Sequence, residues 1–201
     1  MGETQELFAA IEVDQLTIDG IGATQVASLR YFDPAGSFGA VVQNVIGRPL
    51  PQALRADSAT IGGDANFILA WRSPTETLLL STDQRALVDL KERLAGATDG
   101  CMVDQTGGLC AVRVCGGRAG DLLLRLGAGA SIPGVGEARS SRLADLPVLA
   151  LCVQPGTLIL LVERVYLQHF LGWIAATAAP MPARPRSAAS APSKCSFACN
   201  I

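Results

Sequence analysis

The chain has 201 residues, 49% of them apolar and only 17% charged, with a net charge of −2. The length suffices for one sizeable core, while evenly mixed charges with only two Trp, two Tyr and six Phe offer neither a phosphate-binding stripe nor stacking platforms, which excludes nucleic acid. No apolar run approaches the roughly 20 residues that span a bilayer, and Met1 to Glu6 lacks the basic and apolar regions of a signal peptide, so a cytoplasmic protein without a membrane segment is expected.

From the N-terminus, Ile11 to Tyr31 alternates loosely through Val13, Leu16, Ile18, Val26 and Leu29 and predicts one or two strands. Asp33-Pro34 reads as a cap followed by Pro at the first helical position. Phe38, Val41, Val42 and Val45 give that helix its apolar face, and Gly47 stops it. Two prolines make Arg48 to Pro51 an extended connector. Ala65 to Trp71 and Glu76 to Ser81 predict a hairpin with Pro74 in its turn. Ser81 or Thr82 caps the next helix, whose Leu87, Leu90 and Leu94 recur at helical spacing before Gly96.

Cys101 to Asp104 starts a strand; Gln105 to Gly108 turns the chain, and Leu109 to Val114 is expected as its partner. Gly116 to Gly120 leads into a short Leu-rich helix, Asp121 to Leu126. Ser131 to Asp145 is Gly-punctuated and reads as irregular. Val148 to Val153 and Thr157 to Val162 are two buried strands, and Glu163 to Thr177 closes as a helix whose apolar face is Val165, Leu167, Phe170, Leu171 and Ile174. After Ala178, prolines punctuate Ala, Ser and Arg without periodicity, as in a disordered tail. The division expected is an extension over 1–7, a folded unit over 8–178 and a tail over 179–201. No internal repeat is found in the sequence.

The candidate chemistry is thin. Cys101, Cys110, Cys115 and Cys152 lie in apolar, strand-like surroundings, where a reduced thiol behaves as a small hydrophobe. Cys195 and Cys199, four apart in the tail, offer a weak metal or modification site. The single histidine, His169, lies mid-helix beside Phe170 and reads as a packing or rim residue. Gly116-Gly117-Arg118-Ala119-Gly120 is neither GxGxxG nor a P-loop, and reads as a tight strand-to-helix turn. Ser140-Ser141 lacks a GxSxG setting, and the spacing of Asp64, Glu76, Asp104, Glu137 and Asp145 brings no two together. No catalytic, cofactor-binding or metal-binding residue is therefore assigned. A surface so poor in charge points instead to a subunit.

Val103-Asp104-Gln105-Thr106-Gly107-Gly108, followed by Ala111 to Ala119, resembles the gamma subunit of heterotetrameric sarcosine oxidase: a V-D-x-S/T opening, an alternating strand, a G-P-x-A-like turn and a Leu-rich helix. Leu69 to Leu80 resembles that family's hairpin, Gly47 to Pro51 the segment after its first helix, and Ile132 to Leu143 a later Gly-containing segment. Gly117 replaces a usual Pro and Thr77 a usual Trp. The resemblance implies an α+β fold, antiparallel sheets with packed helices, like the folate-binding domain of aminomethyltransferase. It also implies a structural and assembly subunit packing against alpha and beta subunits that hold FAD, FMN, NAD and tetrahydrofolate. Neither the T-N-D-like carboxylate of aminomethyltransferase nor the K-G-C-Y-x-G-Q-E motif of its iron–sulfur relatives is present, so folate chemistry is the alternative and not the expectation. The partner-facing surface is expected at Trp71 and Arg72 of the hairpin and at Ile132, Arg139 and Arg142.

Overall fold

The computed structural model describes residues 8–179, apart from Asp14, Ala23 and residues 62–64. The extension over 1–7, nearly all of the tail including Cys195 and Cys199, and Asp64 lie outside the described residues.

Among the described residues, eleven strands and four α-helices follow one another: β1 (Ile11–Val13), β2 (Leu16–Gly20), β3 (Gln25–Tyr31), α1 (Ser37–Ile46), β4 (Ala56–Ile61), β5 (Ala65–Ser73), β6 (Glu76–Ser81), α2 (Gln84–Leu94), β7 (Gly100–Asp104), β8 (Leu109–Cys115), α3 (Ala119–Arg125), β9 (Glu137–Leu143), β10 (Leu146–Gln154), β11 (Thr157–Glu163) and α4 (Leu167–Ala178). They form a six-stranded sheet ordered β1-β2-β8-β11-β10-β9 and a five-stranded sheet ordered β4-β5-β6-β3-β7, with every pairing antiparallel. The fold is α+β.

Alternating side chains turn this into four layers. Phe38, Val42 and Ile46 of α1 and Leu87, Leu90 and Leu94 of α2 pack on Ala27, Leu29, Phe67, Leu69 and Leu79 of the five-stranded sheet. The other face of that sheet, with Val26, Ile68, Ala70, Leu78 and Leu80, meets Ala111, Leu149, Leu151, Ile159 and Leu161 of the six-stranded sheet. Beyond it, Leu122 and Leu123 of α3 and Phe170 and Ile174 of α4 cover Val112, Val114, Leu158 and Leu160. The central strands β6 and β11 are buried on both faces, which is why they read as unbroken apolar runs.

The topology is duplicated although the sequence shows no repeat. β3-α1-β4-β5-β6-α2 and β8-α3-β9-β10-β11-α4 share one order, and their sheets match strand for strand as β4-β5-β6-β3-β7 and β9-β10-β11-β8-β2. Even the irregularities coincide: the hairpins shift register at Trp71/Ser73 and at Cys152/Gln154, just before Pro74 and Pro155. The leading strands are exchanged. β2, which precedes β3, pairs with β8, while β7, which precedes β8, pairs with β3. At one side the sheets are sewn together: Arg55 bridges Glu137, Ala138 N donates to Leu54 O at 2.9 Å, and Ala56 N to Gly136 O at 3.0 Å.

Several sequence expectations are corrected. Ile11 to Tyr31 makes three strands shared between two sheets. β7 and β8 are not partners, because the loop Gln105–Gly108 crosses from one sheet to the other. Ser131 to Asp145 contains β9, an edge strand whose polar face hides its pairing to β10. β4 carries Asp57, Ser58 and Thr60 and gives no apolar signal. The cap of α2 is Asp83, which accepts from Arg85 N and Ala86 N, whereas Ser81 donates to Asn66 O. At α1, Asp33 only turns the preceding loop, and the remote Asp99 takes the capping role, its Oδ1 accepting from Ser37 Oγ at 2.5 Å and Phe38 N at 2.7 Å. Those bonds hold its carboxyl below the usual range, Ser37 contributing most. Val165 is not on the face of α4: it sits in a 3-10 turn before Leu167 and is 80% exposed. Cys101, expected in an apolar setting, is exposed on the edge strand β7.

The strand-to-helix turn is as read. Gly116 has φ +126°, and a Cβ there would lie 2.0 Å from the Gln15 carbonyl oxygen, so only glycine lets β8 turn into α3 this close to β2. Among the described residues, no helix is long and apolar enough to cross a membrane.

Candidate functional site

Polar side chains gather where the core between the sheets opens to solvent. On β3, Val26 faces that core, so the pleat carries Ser28 and Arg30 along the same face. Glu76 follows Leu78 and Leu80 on β6, and Arg72 follows Ile68 and Ala70 on β5. They converge on one oxygen. Ser28 Oγ donates to Glu76 Oε1 at 2.5 Å, Arg72 NH1 lies 3.4 Å from it, and Arg30 Nε 3.7 Å. Glu76 is largely buried and Ser28 wholly so, and each satisfies the other. Behind them, on the helix side of the sheet, the Tyr31 and Thr77 hydroxyls bond at 2.9 Å, and burial pushes the Tyr31 phenol up.

In front of Arg72 lies a groove of about 370 Å³, lined also by Gln105, Gly107, Gly108, Leu109, Glu163, Arg164 and Val165. Arg164 shapes its floor: Nε donates to Gly107 O at 2.9 Å, NH2 to Thr106 O at 3.3 Å, and its backbone N to Gly108 O at 2.8 Å. Asp104 Oδ1 accepts from Thr106 N at 2.8 Å, a bond that pulls its carboxyl down and fixes the start of the same loop. The second half carries a matching pair on the same inter-sheet face, Arg113 Nε to Asp19 Oδ1 at 2.8 Å and NH2 to Oδ2 at 2.5 Å.

This arrangement suits recognition. Its guanidinium groups are held by fixed partners, and apolar Val165 stands exposed at the groove's lip. His169 accepts from Trp173 Nε1 at 3.1 Å, one turn along α4. Glu137 binds Gly134 N and Arg139, whose guanidinium lowers its pKa most, and so does not meet Glu76. Burial raises the thiols of Cys110 and Cys152. Among the described residues, no three His, Cys, Asp or Glu side chains are placed to hold a metal ion.

The residues read from sequence as a docking surface are distributed unevenly. Arg72 lines the groove. Trp71 is half-buried at the bulge of β5, its N donating to Arg55 O at 3.0 Å, and Arg55 bridges Glu137, the partner of Arg139. Trp71 and Arg139 thus both lie along the seam between the sheets, linked through Arg55 and Glu137. Arg142 donates to Asp145 O at the far end of β9, and Ile132 packs partly against the core beneath α3 and α4. Sequence reasoning did not assign Ser28, Arg30 or Arg164 to a site, and it weighed Glu76 only as an isolated carboxylate. Ser28 and Arg30, following Val26 on one face of a strand whose other face is Ala27, Leu29 and Tyr31, were the available signal.

No protein-family profile and no curated protein matches the sequence. Among solved structures, the fold is similar to a chain of the heterotetrameric sarcosine oxidase from Corynebacterium sp. U-96, solved in complex with pyrrole 2-carboxylate, at 20% identity and TM-score 0.71, covering 89% of this chain and 91% of that one. It is also similar to the glycine cleavage system aminomethyltransferase T from Bartonella henselae, at 9% identity and TM-score 0.61, covering 80% of this chain but only 45% of that one. At these identities, what is shared is the fold.

Proposed function

We propose that this chain is a non-catalytic structural and assembly subunit, gamma-like, of a cytoplasmic, flavin-dependent sarcosine oxidase-like complex acting on an N-methylated amine. The observation that carries the reading is the extent of the likeness in fold, at TM-score 0.71 against 0.61. The four-layer fold matches a chain of a heterotetrameric sarcosine oxidase nearly end to end, whereas it spans less than half of the aminomethyltransferase chain. The groove at Arg72 and the seam at Trp71 and Arg139 support the reading, because fixed guanidinium and aromatic groups are common anchors of protein interfaces. In this reading FAD, FMN, NAD and tetrahydrofolate are held by the alpha and beta subunits, and this chain orders the assembly.

The test is to tag the chain in the cells that make it, isolate what it holds, and record the visible flavin spectrum and oxidation of N-methylglycine. A flavin-containing complex of several subunits is expected. A chain that elutes alone, colourless and monomeric, would refute the proposal.

A further inference from the structure

The two halves of the duplicated fold differ at one edge. In the six-stranded sheet the exchanged strand β2 is itself covered, because β1 pairs along its outer side from Ile11↔Ile18 to Val13↔Leu16. Its counterpart β7 ends the five-stranded sheet, and among the described residues nothing pairs beyond it. The register says which groups this leaves. Gln105 N donates to Val26 O, Phe32 N donates to Asp99 O, and Ala27 stands opposite Asp104. The backbone groups of Cys101 and Val103 therefore point to β3, and those of Gly100, Met102 and Asp104 point outward.

Native sheets blunt such edges with Lys, Pro, bulges or brevity, or cover them. β1 has three residues, and β4 and β9 are sewn to each other at the seam. β7 has five residues and no Lys, Pro or bulge, and its one charge, Asp104, lies at its last position. Cys101, Met102 and Val103 run uncharged along it, and Cys101 and Val103 are exposed. The loop continuing β7, Gln105 to Gly108, lines the groove beside Arg72 and Arg164. A second copy of this chain would bring only the same five-residue strand, whereas edge and groove together fit a longer extended segment.

We propose that the free edge of β7 takes an extended segment of the partner subunit, which adds as the sixth strand of this sheet and sets uncharged side chains against Cys101 and Val103. This rests on the subunit reading above. Main-chain bonds would supply affinity and the alternate side chains selectivity, as in other strand-addition complexes.

Amide hydrogen exchange of the full-length chain, alone and within the tagged flavin-containing complex, tests it. The Met102 and Asp104 amides should exchange readily in the free chain and slow at least about tenfold in the complex. Met102→Pro removes an outward N–H without touching the ladder to β3 and should abolish flavin recovery while the far-UV spectrum is kept. Val103→Lys, at an exposed position, should lower recovery at least about tenfold and covers the case where proline disturbs the Met102 packing. Unchanged exchange at these amides in a flavin-containing complex, or full flavin recovery by both folded variants, overturns the edge proposal and leaves the subunit reading standing. A wild-type chain that brings down no flavin overturns the subunit reading, and this proposal with it. Protection already present in the free chain also overturns it: loss on dilution would identify a second copy as the occupant, and loss on deleting residues 180–201 the chain's own tail.

Discussion

Glu76 carries more of the rim than its single negative charge suggests. Its Oε1 receives the buried Ser28 hydroxyl and sits within ion-pair reach of Arg72 and Arg30. Glu76→Ala leaves that hydroxyl without its acceptor and two guanidinium groups facing each other, and should cost about 2–3 kcal/mol of unfolding free energy in urea titrations. Gly116→Ala meets a different obstacle, a backbone oxygen at 2.0 Å combined with positive φ, and should lower stability by about 2–3 kcal/mol in the same assay. Among the cysteines of the described residues, Cys101 alone is exposed, while burial raises the thiols of Cys110 and Cys152. Maleimide labelling of the folded protein, read by peptide mapping, should modify Cys101 and spare Cys110, Cys115 and Cys152 until denaturant is added.

At the scale of elements, what the sequence reveals depends on whether burial is one-sided, two-sided or absent. The hairpin β5–β6, the pair β10–β11 and the helix with Leu87, Leu90 and Leu94 were legible because apolar runs and helical spacing follow directly from burial. β4 and β9 were not, since Asp57 and Ser58 on one, and Arg139 to Arg142 on the other, answer to edge positions that only the tertiary fold defines. The cap of α1 was misread for a related reason: its acceptor, Asp99, is 61 residues from Phe38, and local spacing cannot find it. Candidate site residues fared likewise, with Arg72 legible from its hairpin but the Ser28–Glu76 contact, 48 residues apart, set by register alone. The cap also has a pH signature. Asp99 titrates below its ordinary value when folded, so its contribution is complete above the unfolded carboxylate range and is lost as pH falls through the lower folded value. Melting temperature should therefore fall as pH drops below the ordinary carboxylate range, and Asp99→Asn should melt lower than wild type at neutral pH with a flatter slope across that fall.

For the molecule as a whole, the comparison of interest is between its two halves. Both sheets share one strand order, yet the sequence betrays no repeat, because the matched positions keep burial and not identity: Glu76 in one hairpin stands where Thr157 stands in the other. The crossed strands β2 and β7 mean that each sheet needs residues from both halves. Cutting the chain between α2 and β7, at Gly96–Ala97, should therefore yield fragments that lack cooperative melts when separate and regain one when mixed, a result that circular dichroism can check. Synthesis adds a further consequence. While the ribosome is still making β7, the hairpin β1–β2 has nowhere to dock, and it must wait exposed until β8 emerges. The five-stranded sheet can form once β7 is made, but its inner face and the hairpin β1–β2 stay uncovered until β8 to β11 follow, the interval when a chaperone or the waiting partner would matter most.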